Sequence, residues 1–253
     1  MEQANRVKDA MRAGRPAYGY NLSFPSPWVI DILGRLDFDF VFIDGEHGPF
    51  GLEALEDLCR TAERYGVTPI ARVPDIGAST ILRYLDRGIM GIVGPHIATA
   101  ADARQLVRAC HFSPLGERSF GANRGTGYNA GIADMAAYLR AANERMLVCA
   151  LLEDVAVLDN LDAILAVKGI DLFGIGPNDF AQSLGFPGEP EHPEVVAKMG
   201  EIARRIRAAG GVMQVDVMRG AWVSDMLLEA GRGVLAGREG VGDGVSGRAK
   251  RKR

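Results

Sequence analysis

Residues 147–185, LVCALLEDVAVLDNLDAILAVKGIDLFGIGPNDFAQSLG, decide how the chain is read. The apolar run Met146–Leu152 has the length and composition of a buried strand, and Glu153 closes it. Leu158, Leu161, Ile164 and Leu165 recur at helical spacing until Lys168-Gly169 stops the helix. A second strand, Ile170–Ile175, runs into Gly176-Pro177-Asn178-Asp179. Strands of a βαβ unit run parallel, so both ends open on one edge of the sheet. Glu153 and Asp179 therefore face one crevice. Two converging carboxylates suit a hard divalent cation that keeps part of its water shell. The alternative is that each carboxylate caps the helix that follows it.

The same rhythm extends through the chain. A short helix over 3–13 precedes a strand at Ala17–Leu22, and Pro25-Ser26-Pro27 opens the helix Trp28–Arg35. Strands follow at Phe38–Ile43, Thr68–Val73 and Met90–Gly94, separated by helices Leu52–Tyr65 and Ser79–Arg87, with another helix at Ala100–Cys110. Residues 111–144 interrupt the pattern with a long Gly-, Ser- and Asn-containing stretch before a further helix. Beyond residue 185, Pro193–Ala209 reads as a helix, Gly211–Val215 as a strand, Trp222–Glu229 as a helix and Gly233–Ala236 as a last strand. Eight strands at βα spacing predict an α/β fold, a closed (β/α)8 TIM barrel over residues 1–236. An open doubly wound sheet is the alternative, and no Gly-rich phosphate fingerprint follows the first strand. Residues 237–253, GREGVGDGVSGRAKRKR, lack periodicity, read as a disordered basic tail and leave the barrel without its eighth helix.

Composition narrows the class. The 253 residues carry a net charge of −3, so no global field attracts nucleic acid. No apolar run approaches a membrane span, and the polar N-terminus carries no apolar signal region, which predicts a soluble cytoplasmic protein. Cys59, Cys110 and Cys149 are odd in number and lie in apolar segments, as buried thiols of a reducing compartment do.

In a barrel the chemistry sits where the strands end. Those ends hold Asp44, Glu46 and His47, then Arg72, His96, Glu153 and Asp179. His47 reads either as a base oriented by Asp44 or as a solvated loop residue. Arg72 reads as the holder of a carboxylate or a developing enolate, or as half of a buried ion pair with Asp44 or Glu46. His96 reads as a rim residue, and His111 and His192 as residues that cap neighbouring helices or meet solvent. The five lysines, Lys8, Lys168, Lys198, Lys250 and Lys252, all lie away from strand ends. That disfavours a Schiff base and leaves metal-assisted carbonyl polarisation as the route to an enolate.

FVFIDGEHGPF (residues 40–50), PIARVP (69–74), ALLEDVAVLDNLDAI (150–164) and IGPNDFAQSLG (175–185) together resemble the HpcH/HpaI family of metal-dependent pyruvate aldolases, over roughly residues 15–215. The resemblance implies a barrel of the phosphoenolpyruvate/pyruvate-domain type and a class II aldehyde-lyase. Such an enzyme cleaves a 4-hydroxy-2-oxo acid to pyruvate and an aldehyde through a metal-bound enolate. It implies Glu153 and Asp179 as ligands of Mg2+, Mn2+ or Co2+, and Arg72 at the enolate oxygen. It further implies that Gly176, Pro177 and Asn178 help seat the substrate carboxylate, and that His47, oriented by Asp44, takes the hydroxyl proton. A homo-oligomer, hexamer or trimer, with a small keto acid as the partner is implied too. Many relatives carry Gln two residues before the metal-binding Glu, where Leu151 stands here. Related enolate chemistry, such as oxaloacetate decarboxylation or another acceptor, is the alternative activity. A barrel that binds a keto acid without turning it over is the alternative from outside catalysis.

Overall fold

The computed structural model describes residues 4–236. Six apolar runs form strands where the sequence predicts them: β1 (Ala17–Leu22), β2 (Phe40–Asp44), β3 (Thr68–Arg72), β4 (Gly91–Gly94), β5 (Leu147–Leu152) and β6 (Leu172–Ile175). Helices intervene: α1 (Arg6–Arg12), α2 (Pro27–Leu33), α3 (Leu52–Arg64), α4 (Ala78–Asp86), α5 (Ala100–Cys110), α6 (Met135–Arg145) and α7 (Val157–Leu165). After β6 come α8 (Pro177–Ser183), α9 (Pro193–Ala208), the single turn α10 (Gln214–Val217), the strand β7 (Met218–Trp222) and α11 (Val223–Ala236). Local signals set the helix starts; Thr99 and Asp102 form a reciprocal capping box at α5, for example. The sheet is parallel throughout, in the order β6-β5-β4-β3-β2-β1-β7.

The end of the chain departs from the expectation. Of the expected strand at 211–215, Met213 alone bridges to Phe173 on β6. The next strand is Met218–Trp222, which pairs with β1 from Ala17↔Met218 onward. The expected last strand, 233–236, is instead the end of α11. Among the described residues the sheet therefore has seven strands, and a helix does follow the last of them. What is missing is the crossover helix between the Met213 bridge and β7. Parallel neighbours normally need a dozen or more connecting residues. Here one edge of the sheet reaches the other through the five residue-to-residue steps from Met213 to Met218. Five residues span at most about 17 Å, whereas six flat strand spacings would cover about 29 Å. The sheet must curl to bring its edges that close. The expected tail at 237–253 lies outside the described residues.

Alternation along the strands divides the core in two. Leu147, Cys149 and Leu151 of β5 join Phe40, Phe42, Ile70, Val93 and Leu172 in a cluster inside the curl. Val148, Ala150 and Leu152 join Val41, Ile43, Ala71 and Ile92 in the larger cluster under the helices. Extending this inward parity to the strand ends places Asp44, Arg72, Glu153 and Gly176 inside as well. The opposite end is covered by α1, whose Val7 and Ala10 join the inner cluster. Asn5 Nδ2 donates to the Met90 and Arg145 carbonyls, and Lys8 Nζ to the Met146 carbonyl and to Asp171. Cys59, Cys110 and Cys149 are free and buried. Burial raises the Cys59 and Cys149 thiols to about 12.

His111 caps α5 as expected and is buried there, its Nδ1 donating to the Val107 carbonyl at 3.0 Å. Burial lowers its pKa, opposed by that hydrogen bond. The fold thus favours the neutral ring, while the unfolded chain accepts the proton near its ordinary value of about 6.5. This contribution to stability is complete above that value and is lost as pH falls through the folded-state pKa. Urea midpoints taken between about pH 5 and 8 should decline on the acid side, and His111→Gln should flatten that decline. Parallel profiles for the two proteins would remove His111 as the cause.

Candidate active site

The inward-facing ends of β2, β3 and β5 converge. Asp44, the last residue of β2, is buried and accepts two hydrogen bonds from Arg72 at the end of β3, Nε to Oδ1 at 2.9 Å and Nη2 to Oδ2 at 2.8 Å. The open choice for Arg72 is settled to this extent: a bidentate ion pair with Asp44 exists. Glu46 Oε2 stands 3.2 Å from Arg72 Nε but takes no hydrogen bond, because that N–H is already given to Asp44. Burial works against the Arg72 charge, and the Asp44 hydrogen bonds with the surrounding carboxylates overcome it, holding its pKa above the usual range.

Glu153 lies just past β5 and is 2% exposed, so almost nothing of it meets water. Its Oε1 accepts the His96 backbone N–H at 2.9 Å, while its Oε2 is buried without a partner. Gly176 is what gives it room, since a Cβ there would collide with that orphaned oxygen. Burial raises the Glu153 pKa; the His96 backbone N–H and ring oppose this, and Glu46 and Asp179 add to it. The His96 ring bridges two acids, with Nε2 3.4 Å from Glu46 Oε1 and Nδ1 3.4 Å from Glu153 Oε1. His96 does so from a left-handed backbone, φ 54°, a strained conformation for a residue with a Cβ.

Asp179 lies in the first turn of α8, behind Gly176 at the N-cap and Pro177. The Gly176 amide bonds the Leu152 carbonyl and Pro177 has none, so Asn178 and Asp179 present the amides not used within the helix. The His47 imidazole is largely exposed, and its nearest carboxylate is Glu46, Nε2 to Oε2 at 3.9 Å. Asp44 reaches His47 through the backbone N–H, at 3.4 Å, and its carboxylate belongs to Arg72. The structure thus brings together Asp44, Arg72, Glu153, Gly176 and Asp179, and does not bring the His47 ring to Asp44. Glu46 and His96 carry more of the geometry than the sequence suggested. His96 is legible only as a histidine near a strand end; its turn toward both acids depends on a backbone angle that the sequence does not announce.

Four carboxylates, Asp44, Glu46, Glu153 and Asp179, face Arg72, His96 and the more distant His47, with two unpaired buried oxygens, Glu46 Oε2 and Glu153 Oε2, among them. Hard oxygen donors of this kind fit a divalent cation. Among the described residues no group of three or more His, Cys, Asp or Glu side chains is arranged to hold a metal. The residues fit such an ion in their donor chemistry, with Glu153 Oε2 unpaired and free to bind it.

A family model described as HpcH/HpaI aldolase/citrate lyase matches residues 20–240. The chain belongs to that family. The 2-keto-3-deoxy-L-rhamnonate aldolase of Salmonella gallinarum is 35% identical over 216 residues, 84% of this chain and 80% of that protein. The hydroxypyruvate/pyruvate aldolase of Pseudomonas aeruginosa is 34% identical over 217 residues, with the same coverage. The crystal structure of an HpcH/HpaI aldolase from Desulfitobacterium hafniense is similar with a TM-score of 0.82 at 25% identity, covering 92% of this chain and 96% of that one. This aldolase-family chain is accordingly an enzyme, a carbon–carbon lyase, as its motifs imply.

Proposed function

We propose that this aldolase cleaves a 4-hydroxy-2-oxo acid, the class that contains 2-keto-3-deoxy sugar acids, to pyruvate and an aldehyde. One observation carries the reading: the buried, unpaired Oε2 of Glu153 faces the same crevice as Asp179, beside an arginine locked by Asp44. A divalent cation, Mg2+, Mn2+ or Co2+, held by Glu153 and Asp179 would polarise the keto group and make the acid half willing to take up negative charge. Arg72 presents a permanent positive charge to the oxygen that becomes the enolate. The Asn178 and Asp179 amides, at the start of α8 beside Gly176 and Pro177, suit the substrate carboxylate. His47, exposed at the mouth, takes the proton of the 4-hydroxyl, directly or through water, as the bond between carbons 3 and 4 breaks. The electron pair of that bond passes to the enolate, which takes a proton back from His47 or from water to give pyruvate.

The reading includes the closed (β/α)8 barrel with one βα unit reduced to a bridge and a turn. It also includes a homo-oligomer, hexamer or trimer, in the cytoplasm. Exposed Trp28, Ile32, Leu227, Leu228, Val234 and Leu235 on α2 and α11 support an interface. Among the described residues no helix is long and apolar enough to cross a membrane.

Pyruvate release from a 4-hydroxy-2-oxo acid should vanish in excess chelator and return when Mg2+ or Mn2+ is restored. Full activity in chelator would overturn the assignment.

A further inference from the structure

Leu151 on β5 and Gly174 on β6 are register partners, one inward-facing step below Glu153 and Gly176. A side chain at 174 would point into the interior shared by Leu151, Cys149 and Leu172. Glycine leaves that slot open, and the side chain of Gln214 occupies it. A Cβ on residue 174 would lie 2.5 Å from Gln214 Oε1 and 2.9 Å from Leu151 Cδ1. Gln214 begins α10, immediately after Met213, the residue that bridges to β6. The short link across the sheet edges therefore inserts an uncharged amide among apolar side chains. Among the described residues that carboxamide has no hydrogen-bond partner, and Gln214 is only half-buried. The carboxamide is not shut away from water, so it stays open to a ligand oxygen that displaces solvent.

Two residues of strand rise, about 7 Å, separate this layer from that of Glu153, within reach of a molecule held there. The acid half of a 2-oxo acid offers only acceptor oxygens, so the amide N–H is the matching group. An uncharged donor also leaves the carboxylate–cation balance of the layer above undisturbed. We propose that Gln214 is a substrate-contacting residue, its carboxamide donating to an oxygen of the keto-acid half. This rests on the reading of the site as a keto-acid aldolase. The geometry adds that positions 151 and 214 compete for one slot, so that a glutamine at 151 would deliver its amide to the same place.

The test follows proton exchange at the pyruvate methyl group by NMR in Mg2+, together with pyruvate affinity by calorimetry. Gln214→Leu should raise both the KM and the Kd for pyruvate roughly tenfold, the loss of one hydrogen bond to a charged acceptor, with a smaller change in kcat. Adding Leu151→Gln to that variant should recover most of the affinity. Gly174→Ala, which displaces the amide from the other side, should reproduce the loss and covers a Gln214 variant that folds poorly. Unchanged KM and Kd in Gln214→Leu, or a double variant no better than the single one, would overturn the proposal. Wild-type protein that neither binds pyruvate nor exchanges its protons would overturn the aldolase reading along with it.

Discussion

Glu153→Gln is expected to abolish pyruvate release and yet to make the metal-free protein more stable. The loss should be about a thousandfold or more, since a cation that polarises a carbonyl contributes several kcal/mol to the transition state. The gain has a separate cause. Burial, with Glu46 and Asp179 nearby, raises the folded-state pKa of Glu153. A raised pKa means that stability is greatest below the unfolded pKa and is lost as pH rises through the folded one. At neutral pH the carboxylate therefore destabilises the fold, and its Oε2 is unpaired as well. A glutamine keeps Oε1 for the His96 N–H and removes the charge. Urea unfolding in chelator should show a gain of about 1 kcal/mol. A variant that is less stable and still active would contradict both halves of the argument.

Arg72→Ala should cost both stability and rate. Asp44 is 4% exposed and depends on two Arg72 hydrogen bonds. Breaking a buried pair from one side leaves the other charge stranded, at about 3 to 5 kcal/mol. Removing the donor that faces the developing enolate should lower kcat by about a hundred- to a thousandfold. Arg72→Lys keeps the charge but not the two-pronged geometry, and should fall between. Denaturant midpoints and steady-state rates for the pair check this; an alanine variant within a few-fold of wild type on both measures would remove Arg72 from both roles.

The strands from β1 to β6 were legible because a parallel strand covered on both faces reads as an unbroken apolar run, as FVFI and LVCALL do. Glu153 and Asp179 were legible for a related reason: strand parity and βα order place them without knowledge of distant contacts. Met218–Trp222 escaped because the crossover helix is missing. Its Arg219 and Ala221 are exposed, so MRGAW lacks the signature of a buried strand. The Gly233–Ala236 segment was misread because a short apolar run between glycines fits a strand or a helix end equally well. The Arg72–Asp44 pair was one of two open readings, since spacing alone does not say which acid a guanidinium meets. Gln214 could not be found from pattern at all: its place depends on the absent side chain of Gly174, forty residues earlier in the chain.

The four-residue strap between Met213 and Met218 also bears on where the native state loosens. β7 has a full ladder only on its β1 side, and its outer face meets water where other strands meet a helix. Segments with few buried contacts open at the lowest free energy. Breathing of the molecule is thus set to begin at this seam, with β2 to β5 holding as the last protected amides. The strap tethers the parted edges, so each opening recloses locally instead of spreading along the sheet.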